Sequence, residues 1–266
     1  MQRDSIGNIL RVSILLCLVC SIGVSVAAVG LRELQDRNAR LDRQKNVLMA
    51  TGIYTPEEVA ELSGDEVTAI FEKNIVTHYV QVGTGEDIPI SELPDGENYD
   101  PRAAAQSADL RVTISKEASE SLGFKVIAPY YAVYEIRDDE GEVDSWVLPI
   151  MGNGLWSTMY GFLALEPDLR TVRGINFYEH GETPGLGGEI ENEGWKAIWP
   201  GKVAFNESGE PQIDVIKGSV SENDSAGDHK IDGLAGATIT SNGVEHAVNF
   251  WLGDEGFGKF LDQHRY

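Results

Sequence analysis

The sequence predicts an α+β fold in which an N-terminal transmembrane helix precedes a mixed helix and hairpin domain. An uncharged run at 12–31 is long enough, at about 1.5 Å per residue, to cross the roughly 30 Å core of a bilayer. Downstream, hairpin patterns mix with helical patterns without repeating βαβ units, which favours α+β over α/β. We therefore divide the chain into an anchor at 1–31, a helical linker and accessory region at 32–125 and a third domain at 126–266.

The apolar run has two interpretations, a retained anchor and a cleaved signal peptide. Ser25 and Ala27 supply small residues at a spacing that a signal peptidase accepts, but the run exceeds a usual signal-peptide core, which favours the anchor. Five basic residues follow the run, whereas only Arg3 and Arg11 precede it. The positive-inside rule then places the large domain in the cytoplasm, although long domains are translocated largely regardless of charge. The residues alone leave the orientation open.

The elements after the anchor follow from periodicity, caps and turns. Leu34, Leu41 and Leu48 recur every seven residues and extend the first helix. Capping signatures begin two short helices, at Thr55 and at Ser63. The remaining predictions are strands at 77–83, 110–115 and 169–180, a polar connector at 89–109, a hairpin at 130–152, a helix at 188–199, a hairpin at 203–218 turning at 207–211, and an amphipathic helix through Val244, Ala247, Val248, Trp251 and Leu252 that Asn242 caps.

Charge and motif content exclude several function classes. The chain has a net charge of -22, and residues 46–266 hold 14 Lys/Arg against 39 Asp/Glu, so nucleic acid is not an expected partner. Both cysteines, Cys17 and Cys20, lie in the apolar run and form no redox or metal motif. The five histidines lack a paired metal spacing, and no phosphate-binding loop or serine-hydrolase elbow is present. We predict no metal site.

Three glycine-rich stretches remain, "GNGLWSTMYGFLAL", "ETPGLGG" and "DGLAGATITSNGV". Each has a structural interpretation, because glycines supply positive φ in turns and Thr240 or Ser241 can cap a helix. Glycine loops, hydroxyls and a helix start are also what a phosphate site uses. Four large apolar side chains beside the glycines would then form the wall for a planar ring: Leu155, Trp156, Met159 and Leu186.

The stretch Asp232–Thr238 resembles the flavinylation motif of proteins that carry FMN as a phosphoester on threonine. Asp232 matches the aspartate of the motif, Gly236 and Ala237 match its Gly-Ala pair, and Thr238 matches the accepting threonine. Ala235 stands where the motif usually has a hydroxyl residue. With the other two stretches in the same order behind one anchor, the chain is similar to the NqrC subunit of the sodium-translocating NADH:quinone oxidoreductase.

This resemblance implies a cofactor, a location and a set of partners. FMN would be covalently bound to Thr238, having been attached from FAD by a magnesium-dependent flavin transferase. Five other subunits, an iron–sulfur donor and a second flavin as acceptor are implied. So is a single-pass protein of the bacterial inner membrane whose large domain faces the periplasm. The ring would contact Thr183, Leu186 and Gly187 of "ETPGLGG", with Trp156 and Ser157 nearby.

Two alternatives stay open. The corresponding flavin-bearing subunit of the related ferredoxin–NAD oxidoreductase complex shares the motif but generally lacks much of the region between the anchor and residue 130. A membrane-anchored acidic adaptor without a cofactor would use the glycine loops only as turns. Covalent flavin survives denaturation, so fluorescence of the denatured band separates an adaptor from a flavoprotein.

Overall fold

The computed structural model describes residues 6–221 and 223–265. The first five residues of the predicted anchor, Arg3 among them, lie outside the described residues. The chain forms two compact units, residues 1–44 and 45–266. The predicted functional boundary at residue 125 stays a prediction, and the larger unit includes elements from both sides of it.

The first unit consists of a single helix, α1 (Ile6–Ala50), which continues into the second unit. Its apolar part is exposed along the whole length of 12–31. The helix is long and apolar enough to cross a membrane by length and composition. The continuation to Ala50 agrees with the heptad of leucines, the last of which, Leu48, is buried in the second unit.

A six-stranded antiparallel sheet in the order β2-β1-β5-β6-β7-β8 organises the second unit. The predicted hairpin at 130–152 forms its centre, with β5 and β6 joined by a turn at Asp138–Glu142. Two small two-stranded sheets, β3 with β4 and β9 with β10, lie outside it. The strands are β1 (Ile75–Gln81), β2 (Asp87–Ile88), β3 (Val112–Thr113), β4 (Val126–Ile127), β5 (Tyr130–Arg137), β6 (Val143–Asn153), β7 (Thr158–Leu165), β8 (Val172–Glu179), β9 (Asp214–Ile216) and β10 (Lys230–Asp232).

Helices cover the sheet and connect its parts. Both predicted capping boxes are present, with Thr55 paired to Glu58 and Ser63 to Glu66. Longer connections contain the 3-10 turns Ile90–Glu92, Gly96–Asn98, Gly187–Glu191 and Gly227–His229. The α-helices after the first are α2 (Pro56–Glu61), α3 (Gly64–Asn74), α4 (Pro101–Gln106), α5 (Lys116–Leu122), α6 (Glu193–Lys196), α7 (Thr238–Leu252) and α8 (Gly258–His264).

The main core lies between the sheet and α7. All five residues of the predicted apolar stripe on α7 are buried, and the Trp251 indole donates to the Met151 carbonyl on β6 at 2.8 Å. Gly152 on β6 allows this contact, because an added Cβ would lie 2.9 Å from the Cβ of Ala247. The opposite sheet face packs Tyr134 against Phe71 of α3. The helix is thereby fixed against one end of β6.

Several local predictions are wrong for identifiable reasons. The polar connector contains α4, where Asp100 caps the helix and Pro101 occupies its first turn. The predicted hairpin at 203–218 is reduced to one bridge between Phe205 and Pro211, because β9 pairs in parallel with β10 instead. Asn242 does not cap α7, which begins four residues earlier.

Candidate functional site

Three chain segments meet at the end of the sheet where β6, β7 and β8 turn. The tip of the β6–β7 hairpin is the loop Gly154–Ser157, and the loop His180–Gly188 follows β8. The start of α7 lies against the same end, since an added Cβ on Gly243 would collide with the Asn153 carbonyl. These segments belong to the three glycine-rich stretches of the sequence, so the fold brings the predicted site regions together.

A buried carboxylate, that of Glu182, connects the three segments. It accepts hydrogen bonds from the backbone amides of Leu155 (3.1 Å), Trp156 (2.9 Å) and Ser157 (3.4 Å) in the hairpin loop. The Thr240 hydroxyl of α7 donates a fourth, at 2.6 Å. Glu182 therefore ties its own loop to the hairpin tip and to the first turn of the helix.

These donors determine the charge state of the carboxylate. Burial alone would raise the pKa of Glu182, but the bonds from Thr240 and from the amides of the hairpin loop outweigh it and hold the pKa below its usual range. No ion pair involving Glu182 occurs among the described residues 6–221 and 223–265. The carboxylate is thus ionised at neutral pH and is stabilised by dipoles.

The glycines of the site are needed mainly for close approach. An added Cβ on Gly154 would lie 2.6 Å from the Glu182 carboxylate, and one on Gly187 would lie 2.5 Å from the Thr240 hydroxyl. Of the five glycines expected to supply positive φ, only Gly185 does so, at 76°. The interpretation is wrong for the other four, which pack closely in ordinary conformations: Gly152, Gly154, Gly187 and Gly188.

The start of α7 distinguishes the hydroxyl residues of the motif stretch. Thr240 and Ser241 are buried, and Ser241 accepts a hydrogen bond from the Leu234 amide at 3.0 Å. Neither caps the helix. Thr238 is the first helical residue and is exposed, and the preceding Ala237 makes no side-chain cap. The threonine that matches the accepting position therefore has the accessible hydroxyl.

Large apolar side chains are exposed on all three segments. Trp156 is 69% exposed, Leu155 51%, Leu186 44% and Ile239 57%. An added Cβ on Gly236 would lie 3.2 Å from Leu186, which places the middle loop against the motif. Met159 does not belong to this wall, because it is fully buried in the core.

The other predicted site residues have structural contacts. The Asp232 carboxylate accepts from the Val220 amide at 2.8 Å. The Ser157 hydroxyl accepts from the Gly181 amide at 2.6 Å, which joins the hairpin tip to the middle loop. The Thr183 carbonyl accepts from the amides of Leu186 and Gly188 and closes that loop. Sequence reasoning missed Glu182 as a site residue, because its donors lie 25 to 58 residues away.

Comparison with known proteins supports this location of the site. The FMN-binding domain family matches residues 154–253, which include all three segments. Two NqrC-type subunits of the Na(+)-translocating NADH-quinone reductase, from Yersinia pestis and Pseudomonas aeruginosa, are each 42% identical. The alignments cover 99% and 98% of this chain, and 95% and 96% of those proteins.

Solved structures give the same answer for the fold. The crystal structure of Shewanella oneidensis NqrC superimposes with a TM-score of 0.74 at 34% identity, covering 87% of this chain and 98% of that one. The chain therefore belongs to the NqrC family of subunits of the Na(+)-translocating NADH-quinone reductase, an oxidoreductase complex.

Proposed function

We propose that this chain carries FMN as a phosphoester on Thr238 and relays electrons from an iron–sulfur centre to the next flavin of the complex. One observation carries the proposal. Among the hydroxyl residues at the start of α7, Thr238 alone is exposed, and it lies beside exposed apolar side chains on three converging segments.

The start of α7 suits the phosphate of such an ester. The first intrahelical bond runs from the Ser241 amide to the Ala237 carbonyl, so the amides of the first turn have no acceptor within the helix. They and the helix dipole would stabilise a phosphate charge by about 0.3–1 kcal/mol. Gly236, with φ of 74° and no side chain, leaves the approach to Thr238 open.

The exposed apolar side chains suit the ring. Leu155, Trp156 and Leu186 would pack against a planar aromatic system and shield it from water on the protein side. Bound FMN would supply the redox chemistry, since the protein positions and tunes a flavin but does not itself carry electrons. Thr183 and Gly187 belong to the loop that presents Leu186, and Ser157 fixes the loop that presents Trp156.

Attachment would be the work of a separate flavin transferase. The Thr238 hydroxyl oxygen would form a bond to the FMN phosphorus of FAD, the bond from that phosphorus to AMP would break, and the hydroxyl proton would leave to a base. The exposed position of Thr238 suits this step, because the hydroxyl has to enter the active site of another enzyme.

We further propose that α1 crosses the bacterial inner membrane once, with the flavin domain in the periplasm. The helix is long and apolar enough to cross a membrane. The net negative charge of the large domain would discourage contact with anionic lipid headgroups. Five other subunits would supply the electron donor, the acceptor and the sodium path.

Intact-mass measurement of the full chain, expressed with a flavin transferase, tests the proposal. We expect the mass of one FMN ester, flavin fluorescence of the denatured band and a modified peptide that contains Thr238. Thr238→Val should abolish all three and leave the fold unchanged, because the residue is exposed and caps nothing. Thr113→Val, at another exposed threonine, is the matched control. An unmodified wild-type chain, or a flavin that persists in Thr238→Val, would refute the proposal.

A further inference from the structure

Glu182 has an arrangement that a simple structural tie does not require. Its side chain belongs to a residue only 5% exposed, yet it is ionised. Three consecutive amides of the loop Leu155–Ser157 converge on it together with the Thr240 hydroxyl. Consecutive amides of this kind form a concave anion site, and here the anion belongs to the protein itself.

A neutral side chain would tie the segments at lower cost. Burying an ionised carboxylate is expensive unless hydrogen bonds satisfy it, whereas an uncharged acceptor of the same length carries a smaller desolvation penalty. The chain places no cation against this carboxylate within 6–221 and 223–265, so its negative charge is offset only by dipoles. That charge lies directly beneath the backbone of Leu155 and Trp156, whose side chains form part of the exposed apolar wall.

We propose that Glu182 is the positioning residue of the flavin site, and that its fixed charge lowers the midpoint potential of a flavin held on Thr238. The first part concerns the chain alone, since the carboxylate sets where Trp156 and the first turn of α7 lie relative to each other. The second part rests on the proposed function. Reduction adds negative charge to a flavin, and a nearby buried anion, poorly screened by solvent, opposes that addition.

The potential is the readout that a merely structural role would not move. In the full-length flavinylated chain, Glu182→Gln should shift the flavin midpoint potential to a more positive value in a spectroelectrochemical titration at pH 7. Glu189→Gln is the matched control, because it removes the same charge from a neighbouring position that holds only Asn192. We expect little or no shift in the control. Equal potentials in Glu182→Gln and wild type would overturn the proposal.

Thr240→Val gives a second test with the opposite sign. This isosteric change keeps the Glu182 charge but removes one of its four donors, so the charge is less compensated. The midpoint potential should then shift to a more negative value than in wild type. A shift of Thr240→Val in the same direction as Glu182→Gln would mean that loosened packing, and not charge, controls the potential, and would overturn the proposal.

Hydrogen exchange tests the positioning role without a flavin. In the full chain expressed without a transferase, the amides of Leu155, Trp156 and Ser157 should exchange slowly for an exposed loop, because Glu182 accepts all three. Their exchange should accelerate at least tenfold in Glu182→Gln and stay unchanged in Glu189→Gln. Unchanged protection in Glu182→Gln would overturn the positioning role. If wild type proves to lack flavin, the proposed function fails while this arm still decides the role of Glu182.

Discussion

Substitution of Gly187 by alanine should loosen the site at its most crowded point. The added methyl would lie 2.5 Å from the Thr240 hydroxyl and 2.7 Å from the Glu182 carboxylate, and both groups are buried. Either the loop moves away or the bond between Glu182 and Thr240 opens. Overpacking costs about 1–3 kcal/mol, and loss of a hydrogen bond to a charged group costs about 1.5–3 kcal/mol. We therefore expect Gly187→Ala to lower the free energy of unfolding by about 2–4 kcal/mol.

Gly185 provides a control in the same loop. An added Cβ there would meet nothing within 4 Å, so only the positive φ of 76° penalises alanine. The left-handed conformation costs a residue with a Cβ about 1–2 kcal/mol. Gly185→Ala should thus be the milder change, and it should leave the protection of the Trp156 amide intact. Equilibrium denaturation of the flavin-free full chain in detergent, followed by tryptophan fluorescence, measures both variants.

A double-mutant cycle identifies the cause of the Gly187→Ala effect. In a Thr240→Ala background the nearest atom is gone and the bond to Glu182 is already lost, so the same alanine should cost clearly less than in wild type. If the cost of Gly187→Ala is the same in both backgrounds, the crowding argument is wrong. A larger loss in Gly185→Ala than in Gly187→Ala would contradict it as well.

Two further predictions concern carboxylates. Because the folded pKa of Glu182 lies below its unfolded value, ionised Glu182 stabilises the fold fully above about pH 4.3, and this contribution is lost as the pH falls through the folded pKa. Unfolding free energies measured from pH 7 downward should fall less steeply in Glu182→Gln than in wild type, and parallel slopes would contradict the assignment. Asp232→Asn keeps an oxygen for the Val220 amide and should cost less than about 0.5 kcal/mol, whereas Asp232→Ala should cost about 1 kcal/mol in the same denaturation assay. Equal losses would show that the hydrogen bond is not what Asp232 contributes.

Elements encoded by local pattern could be predicted from the sequence. The capping boxes at Thr55 and Ser63, the hairpin of β5 and β6 and the buried stripe of α7 all depend on residues within a few positions of one another. The start of α7 could not be predicted in this way. Ala237 precedes the helix without a side-chain cap, so the cap signature at Asn242 favoured the wrong residue.

The central carboxylate of the site illustrates the limit more sharply. Glu182 is one of 43 acidic residues, and nothing local distinguishes it from the others. Its partners come from the β6–β7 hairpin tip and from α7, which reach it only through the sheet topology. The glycines are the one local trace. Gly154 and Gly187 indicate close approach of something to the backbone, and only the fold shows that this is the Glu182 side chain.

The openness of the site follows from a covalent attachment at Thr238. Pockets that hold a ligand without a bond usually enclose most of its surface, because affinity depends on buried contacts. Here Trp156 is 69% exposed and Ile239 57%, so the apolar wall offers one face and no enclosure. A tether replaces affinity by a local concentration in the millimolar range, and weak packing against the wall is then enough to orient the ring. The opposite side of the ring stays accessible, which is what exchange of electrons with other subunits requires. An open wall without a tether would release its cofactor, so the exposure of this surface and the ester at Thr238 support each other.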